Sequence, residues 1–119
     1  MKRDMDLVRQ ILLAAEANEH GLVGGNPDID GYTDEQVAYH VYLMNEAGLV
    51  QAADTTSMGS DSPEAMLNHL TWSGHDFLDA AREPSRWQKA KEIIAKAGGA
   101  TFQIWLAVLT DLVKKGVGL

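Results

Sequence analysis

The sequence predicts a mainly α-helical chain with one small β-hairpin, and three stretches carry that prediction. Residues 33–50 (TDEQVAYHVYLMNEAGLV) open on a capping box, Thr33 with Gln36, and continue with Val37, Val41, Met44 and Ala47 at helical spacing. Residues 49–55 and 66–72 are short strand-like runs on either side of a polar turn, SMGSDSP. Beyond them, Pro84 and Gly98-Gly99 bracket one helical pattern and a more apolar one follows. A helix that closes in AGLV and runs straight into a strand is how the third helix and wing of a winged helix-turn-helix read. The expected fold is a winged helix-turn-helix-like domain with a reduced second helix and two extra C-terminal helices.

Taken in order, residues 4–18 read as the first helix, with Leu7, Val8, Ile11, Leu12, Ala14 and Ala15 on its buried face and Gly21 ending it. Residues 21–31 (GLVGGNPDIDG) hold four glycines and Pro27, which is loop composition with at most a short strand at Leu22-Val23. The second helix of a standard winged helix is therefore missing or cut to a single turn. Gly48 is placed to stop the central helix. Thr71 or Ser73 caps a short helix carrying Phe77, Leu78 and Ala81, and Pro84 bars its continuation while suiting the first turn of the next. That next helix buries Trp87, Ala90, Ile94 and Ala97.

The last helix, about residues 100–115, has its main stripe at Phe102, Trp105, Leu106, Leu109, Leu112 and Val113. Ile104 and Val108 widen it to an arc of roughly 200°, about twice what packing on one side needs. Trp72, Trp87 and Trp105 are expected in the core or at a seam. At 119 residues the chain is read as one domain, a winged-helix-like core over residues 1–83 and a C-terminal helical pair over 84–119.

Composition narrows the function classes. No apolar run approaches the ~20 residues of a membrane span, and the first ten residues do not resemble a signal peptide. Without cysteine there is no disulfide and no thiolate chemistry, so the cytoplasm is the expected compartment. Charge is unevenly distributed. Residues 10–81 contain no Lys or Arg but twelve acids, whereas from Arg82 onward seven basic residues face three acids.

The segments MKRDMDLVRQILLA, GYTDEQVAYHVYLMNEAGLV, LTWSGHDFLDAARE and GGATFQIWLAVLTDLVKKGVGL together resemble the bacterial and phage domain-of-unknown-function family 2513. LTW-GHDFLDA is the most specific block. The resemblance implies a winged-helix-like domain in a bacterial or prophage setting and assigns no activity. His40-Val41 through Met44 to Ala47-Gly48-Leu49-Val50 also follows the pattern of broader winged-helix regulators, with Met44 where leucine is usual.

Affinity for nucleic acid is carried by Lys and Arg on phosphate. The outward face of the central helix instead presents Asp34, Glu35, Tyr39, Tyr42 and Glu46, and the hairpin adds Asp54, Asp61 and Glu64. That face suits a basic protein partner, with the tyrosines as anchors unless they pack against the chain itself. Arg82, Arg86, Lys89, Lys91 and Lys96 form the basic segment left to touch phosphate. The histidines have no short-spaced ligand pair, so no metal or other cofactor is expected. The dispersed carboxylates and the lack of a nucleophile motif argue against an enzyme. The expected function is a non-catalytic interaction or assembly module, with a dimeric DNA-binding regulator as the alternative. A homodimer is expected through the last helix, with Ile104, Trp105, Val108 and Leu112 as the candidate seam; Ile104 and Val108 are the better placed to face a partner.

Overall fold

Every helix begins at a side chain that caps it, which is why the boundaries follow the sequence closely. The structure, a computed structural model, describes residues 1–118. Asp4 opens α1 (Met5–Glu16) by accepting the N–H groups of Asp6 and Leu7 at 2.9 and 3.3 Å. Thr33 and Gln36 form the expected capping box of α2 (Asp34–Glu46). Thr71 accepts the Gly74 N–H at 3.0 Å and opens α3 (Trp72–Ala81). Glu83 caps α4 (Pro84–Lys96), with Pro84 in its first turn, and Thr101 caps α5 (Phe102–Lys114). The hydrogen bonds from the Arg86 and Ser85 N–H groups hold the Glu83 carboxyl below its ordinary pKa. The hairpin pairs β1 (Val50–Asp54) with β2 (Ala65–Leu70) antiparallel, with a bulge between Gln51 and Ala52. The chain is thus mainly helical with a two-stranded antiparallel hairpin. Among the described residues no helix is long and apolar enough to cross a membrane.

Contacts divide the chain into two compact units, Met1–His75 and the residues from Asp76 onward, so the division runs through α3. In the first unit α1 packs on α2 and β2, and α2 packs on both strands. Leu7, Ile11, Leu12, Val37, Val41, Met44 and Leu67 form its fully buried centre. His40 is buried among them and spends both ring nitrogens there. Nε2 accepts the Asp4 N–H at 2.9 Å, and Nδ1 donates to the Gln36 carbonyl at 2.8 Å, a pair of bonds made by the neutral Nδ1–H tautomer.

The turn from α2 into β1 is the tightest part of this unit. Gly48, at φ 77°, donates to Asn45 O, and Leu49 N–H reaches back to Met44 O at 2.9 Å, closing the helix as the sequence predicts. The Leu49 carbonyl then accepts Thr71 N–H at 3.1 Å, and the Thr71 hydroxyl bonds the Gly48 carbonyl. Gly74 lies so close to the Leu49 carbonyl that a Cβ there would overlap it.

Two asparagine side chains cover the outer edges of the hairpin. Asn26 accepts Leu67 N–H and donates to Ala65 O, both at 2.9 Å, and so imitates a neighbouring strand. On the other edge Asn45 accepts Ala52 N–H at 3.0 Å. Residues 17–33 contain no helix; of the short strand expected at Leu22-Val23, one backbone bond remains, Val23 N–H to Asn68 O.

In the second unit, α4 packs on α5 through stacked Trp87 and Trp105 rings, centroids 4.8 Å apart, with Phe77 against Phe102 at 5.1 Å. Arg86 is buried. Its guanidinium donates to Val117 O at 3.1 Å and Ala80 O at 3.3 Å, so it holds the last turn of α3 to the chain beyond α5.

Four expectations need correction. α1 ends at Glu16 rather than at Gly21, because Asn18 turns the chain first, its N–H on Ala15 O and its side chain on His20 N–H. Ala47 and Ala97 are exposed, each being the residue that ends its helix after the buried stripe has rotated away. Trp72 is not in the core but 84% exposed, since the first turn of α3 holds it outward. Arg86 is withdrawn from the basic surface by its carbonyl partners.

Gly74→Ala is expected to destabilise the protein by about 3 kcal/mol, because the obstructing atom is a backbone oxygen fixed by Thr71. Gly59→Ala is the control. Its added methyl would meet nothing nearer than the Ser57 hydroxyl at 4.0 Å, so its urea midpoint should match the parent.

Candidate functional site

The expected partner surface is partly assembled. Asp34, Glu35 and Glu46 are exposed on the outward side of α2, whereas Tyr39 and Tyr42 are half-buried. Tyr39 stands edge-on to His40, ring centroids 5.8 Å apart. The tyrosines therefore offer less free area than the helical wheel implies, and the carboxylates dominate the face.

The hairpin loop joins this face through a bond the sequence does not reveal. Ser62 Oγ donates to Glu35 Oε1 at 2.6 Å across 27 residues. It sets the loop bearing exposed Asp61 against the acidic first turn of α2. At the loop's base Thr56 donates from its N–H to Asp54 at 2.9 Å, and Glu64 N–H donates to the Thr56 hydroxyl at 2.9 Å. The Thr56 side chain, and then its backbone, hold the Asp54 carboxyl below its ordinary pKa. The result is one acidic surface made of two elements.

A second acidic region lies along α1. A cavity of about 710 Å³ opens between α1 and residues 28–32, with Asp6, Asp28 and Asp30 on its lining. Tyr32 fixes its far end, donating from its hydroxyl to Asp4 Oδ2 at 2.8 Å while its N–H bonds Ile29 O at 3.1 Å. Asp4 thus caps α1 with one carboxylate oxygen and holds the incoming loop with the other. An aspartate before a helix is readable as a cap; its second partner, 28 residues away, is not.

Three of the four histidines, His20, His69 and His75, line a separate cavity of about 520 Å³. Among the described residues no three His, Asp or Glu side chains are placed to hold a metal ion. Of the candidate seam, Trp105 and Leu112 are buried within the second unit, whereas Ile104 is 49% exposed and Val108 half-buried.

Residues 2–100 match the model of a family described as "Hypothetical protein (DUF2513)". The chain is also similar to an uncharacterized protein of Haemophilus influenzae, 40% identical over 95 residues that make up 79% of each chain. No solved structure matches. The family match ends before α5 begins.

Burial, followed by the bond to Asp4 and its charge, pushes the Tyr32 phenol up to about 12. A raised phenol pKa means the fold favours the protonated form. That contribution is whole below the ordinary value near ~10 and is lost as pH climbs through about 12. Tyr32→Phe should cost about 1–2 kcal/mol at neutral pH. Urea denaturation at stepped alkaline pH should show the parent losing stability more steeply than the variant over that window.

Proposed function

This chain belongs to the DUF2513 family, and we propose that it is a non-catalytic interaction module, a winged-helix scaffold that presents an acidic surface to a basic protein partner. The observation that carries the reading is the Ser62–Glu35 bond. It merges the first turn of α2 and the hairpin loop into one surface bearing Asp34, Glu35 and Asp61. The scaffold reading is supported by the order α1, α2, hairpin, and by the strand remnant at Val23 beside β2.

The alternative, a dimeric DNA-binding regulator, would place α2 in the major groove. Asp34, Glu35 and Glu46 would then approach phosphate with no Lys or Arg anywhere in residues 10–81 to offset them. Capture from a bacterial lysate decides between the two. The tagged protein should retain a basic protein that salt elutes, and Asp34→Lys with Glu35→Lys and Glu46→Lys should reduce that retention more than tenfold. Tight binding of duplex DNA at physiological salt by the unaltered protein would overturn the module in favour of the regulator.

The proposal includes a homodimer formed through α5. Its support is the apolar flank left outside the core, Ile104 at 49% exposure with Val108 beside it one turn on. Light scattering should give twice the monomer mass for the parent and a folded monomer for Ile104→Glu with Val108→Glu. A monomeric parent, or a double variant that stays dimeric, removes the dimer.

A further inference from the structure

We propose that the groove between α1 and residues 28–32 receives a lysine or arginine side chain of the basic partner, a reading that rests on the acidic-module function and adds a second contact site to it. The groove has the two chemistries such a side chain needs. Half-buried Leu13 and Ile29 give it apolar floor, suited to the aliphatic stem. Asp28 and Asp30 stand exposed on the rim, and among the described residues neither is engaged in an ion pair. Tyr32 supplies an aromatic wall, over which a guanidinium or ammonium is attracted by the ring's electron density.

The groove is also held open in advance. The Tyr32 hydroxyl is fixed on Asp4, the residue that caps α1, and the Tyr32 N–H closes a turn on Ile29 O. The 28–32 segment is therefore tied to the helix it faces, and a ligand would not have to order it. At about 710 Å³ the space is large enough for such a side chain. An anionic or wholly apolar ligand would leave the aspartates repelled or desolvated without compensation.

The probe is a capped hexapeptide with one arginine flanked by leucines, and its control carries citrulline, which keeps the shape and removes the charge. Amide shifts of the isotope-labelled full chain are followed as each is titrated. The expected result is a set of shifts confined to α1 and residues 28–32, lost with citrulline. Asp28→Asn with Asp30→Asn should weaken binding roughly fivefold, and Ile29→Ala, which keeps every charge, should weaken it as well. Asp34→Asn with Glu35→Asn should leave it unchanged, and the spectra report directly that each variant is folded. No shifts at millimolar peptide, equal binding of citrulline, or shifts centred on α2 would each overturn the groove. If the groove fails while lysate capture still depends on Asp34, Glu35 and Glu46, the module reading survives without it.

Discussion

The Leu49 peptide is the constraint on which the first unit depends. Its N–H finishes α2, its carbonyl accepts Thr71, and it leaves room at Gly74 for nothing larger than hydrogen. The end of a helix, the start of one strand, the end of the other and the start of the next helix are thereby fixed within a few ångströms. AGLV, which follows the pattern of broader winged-helix regulators, and LTW-GHD, from the most specific block of the family resemblance, are the two sides of this junction. The glycine of the second segment has a steric reason, since a side chain at position 74 would meet the Leu49 carbonyl oxygen.

How much of this could be read in the sequence depended on distance along the chain. The capping box, the glycine stop after Ala47 and the proline start of α4 are each written within four or five residues, the hairpin is written as two short runs about one polar turn, and all were legible. Asn26 on β2, Ser62 on Glu35, Tyr32 on Asp4 and Arg86 on the carbonyls of α3 span from 6 to 41 residues, and no local pattern announces them. Arg86 shows why charge counting misleads. A guanidinium among cations reads as surface, yet five donors let it serve carbonyl groups that a lysine could not reach together. The acidic face was legible as composition, but its continuity was not.

A unit with so few cations has to place its carboxylates where they do least harm. Several sit at helix beginnings: Asp4 and Asp6 at α1, Asp34 and Glu35 at α2. There the bare N–H groups and the positive end of the helix dipole favour negative charge. At α2 the same placement leaves Asp34 and Glu35 exposed, so a local requirement of helix formation also supplies part of the surface proposed to meet a partner.

The exposure of Trp72 has an optical consequence. Trp87 and Trp105 are stacked on each other and sealed from water, whereas Trp72 stands in solvent at the start of α3. The chain therefore contains two classes of indole, one emitting toward the red and open to a dissolved quencher, the other bluer and shielded. Because the Trp72 indole already stands in water, its emission changes little on unfolding, and the shift of the whole spectrum reports the opening of the stacked pair on α4 and α5. Melting of the second unit's helices would therefore appear as a red shift against a constant solvent-exposed background, without any label.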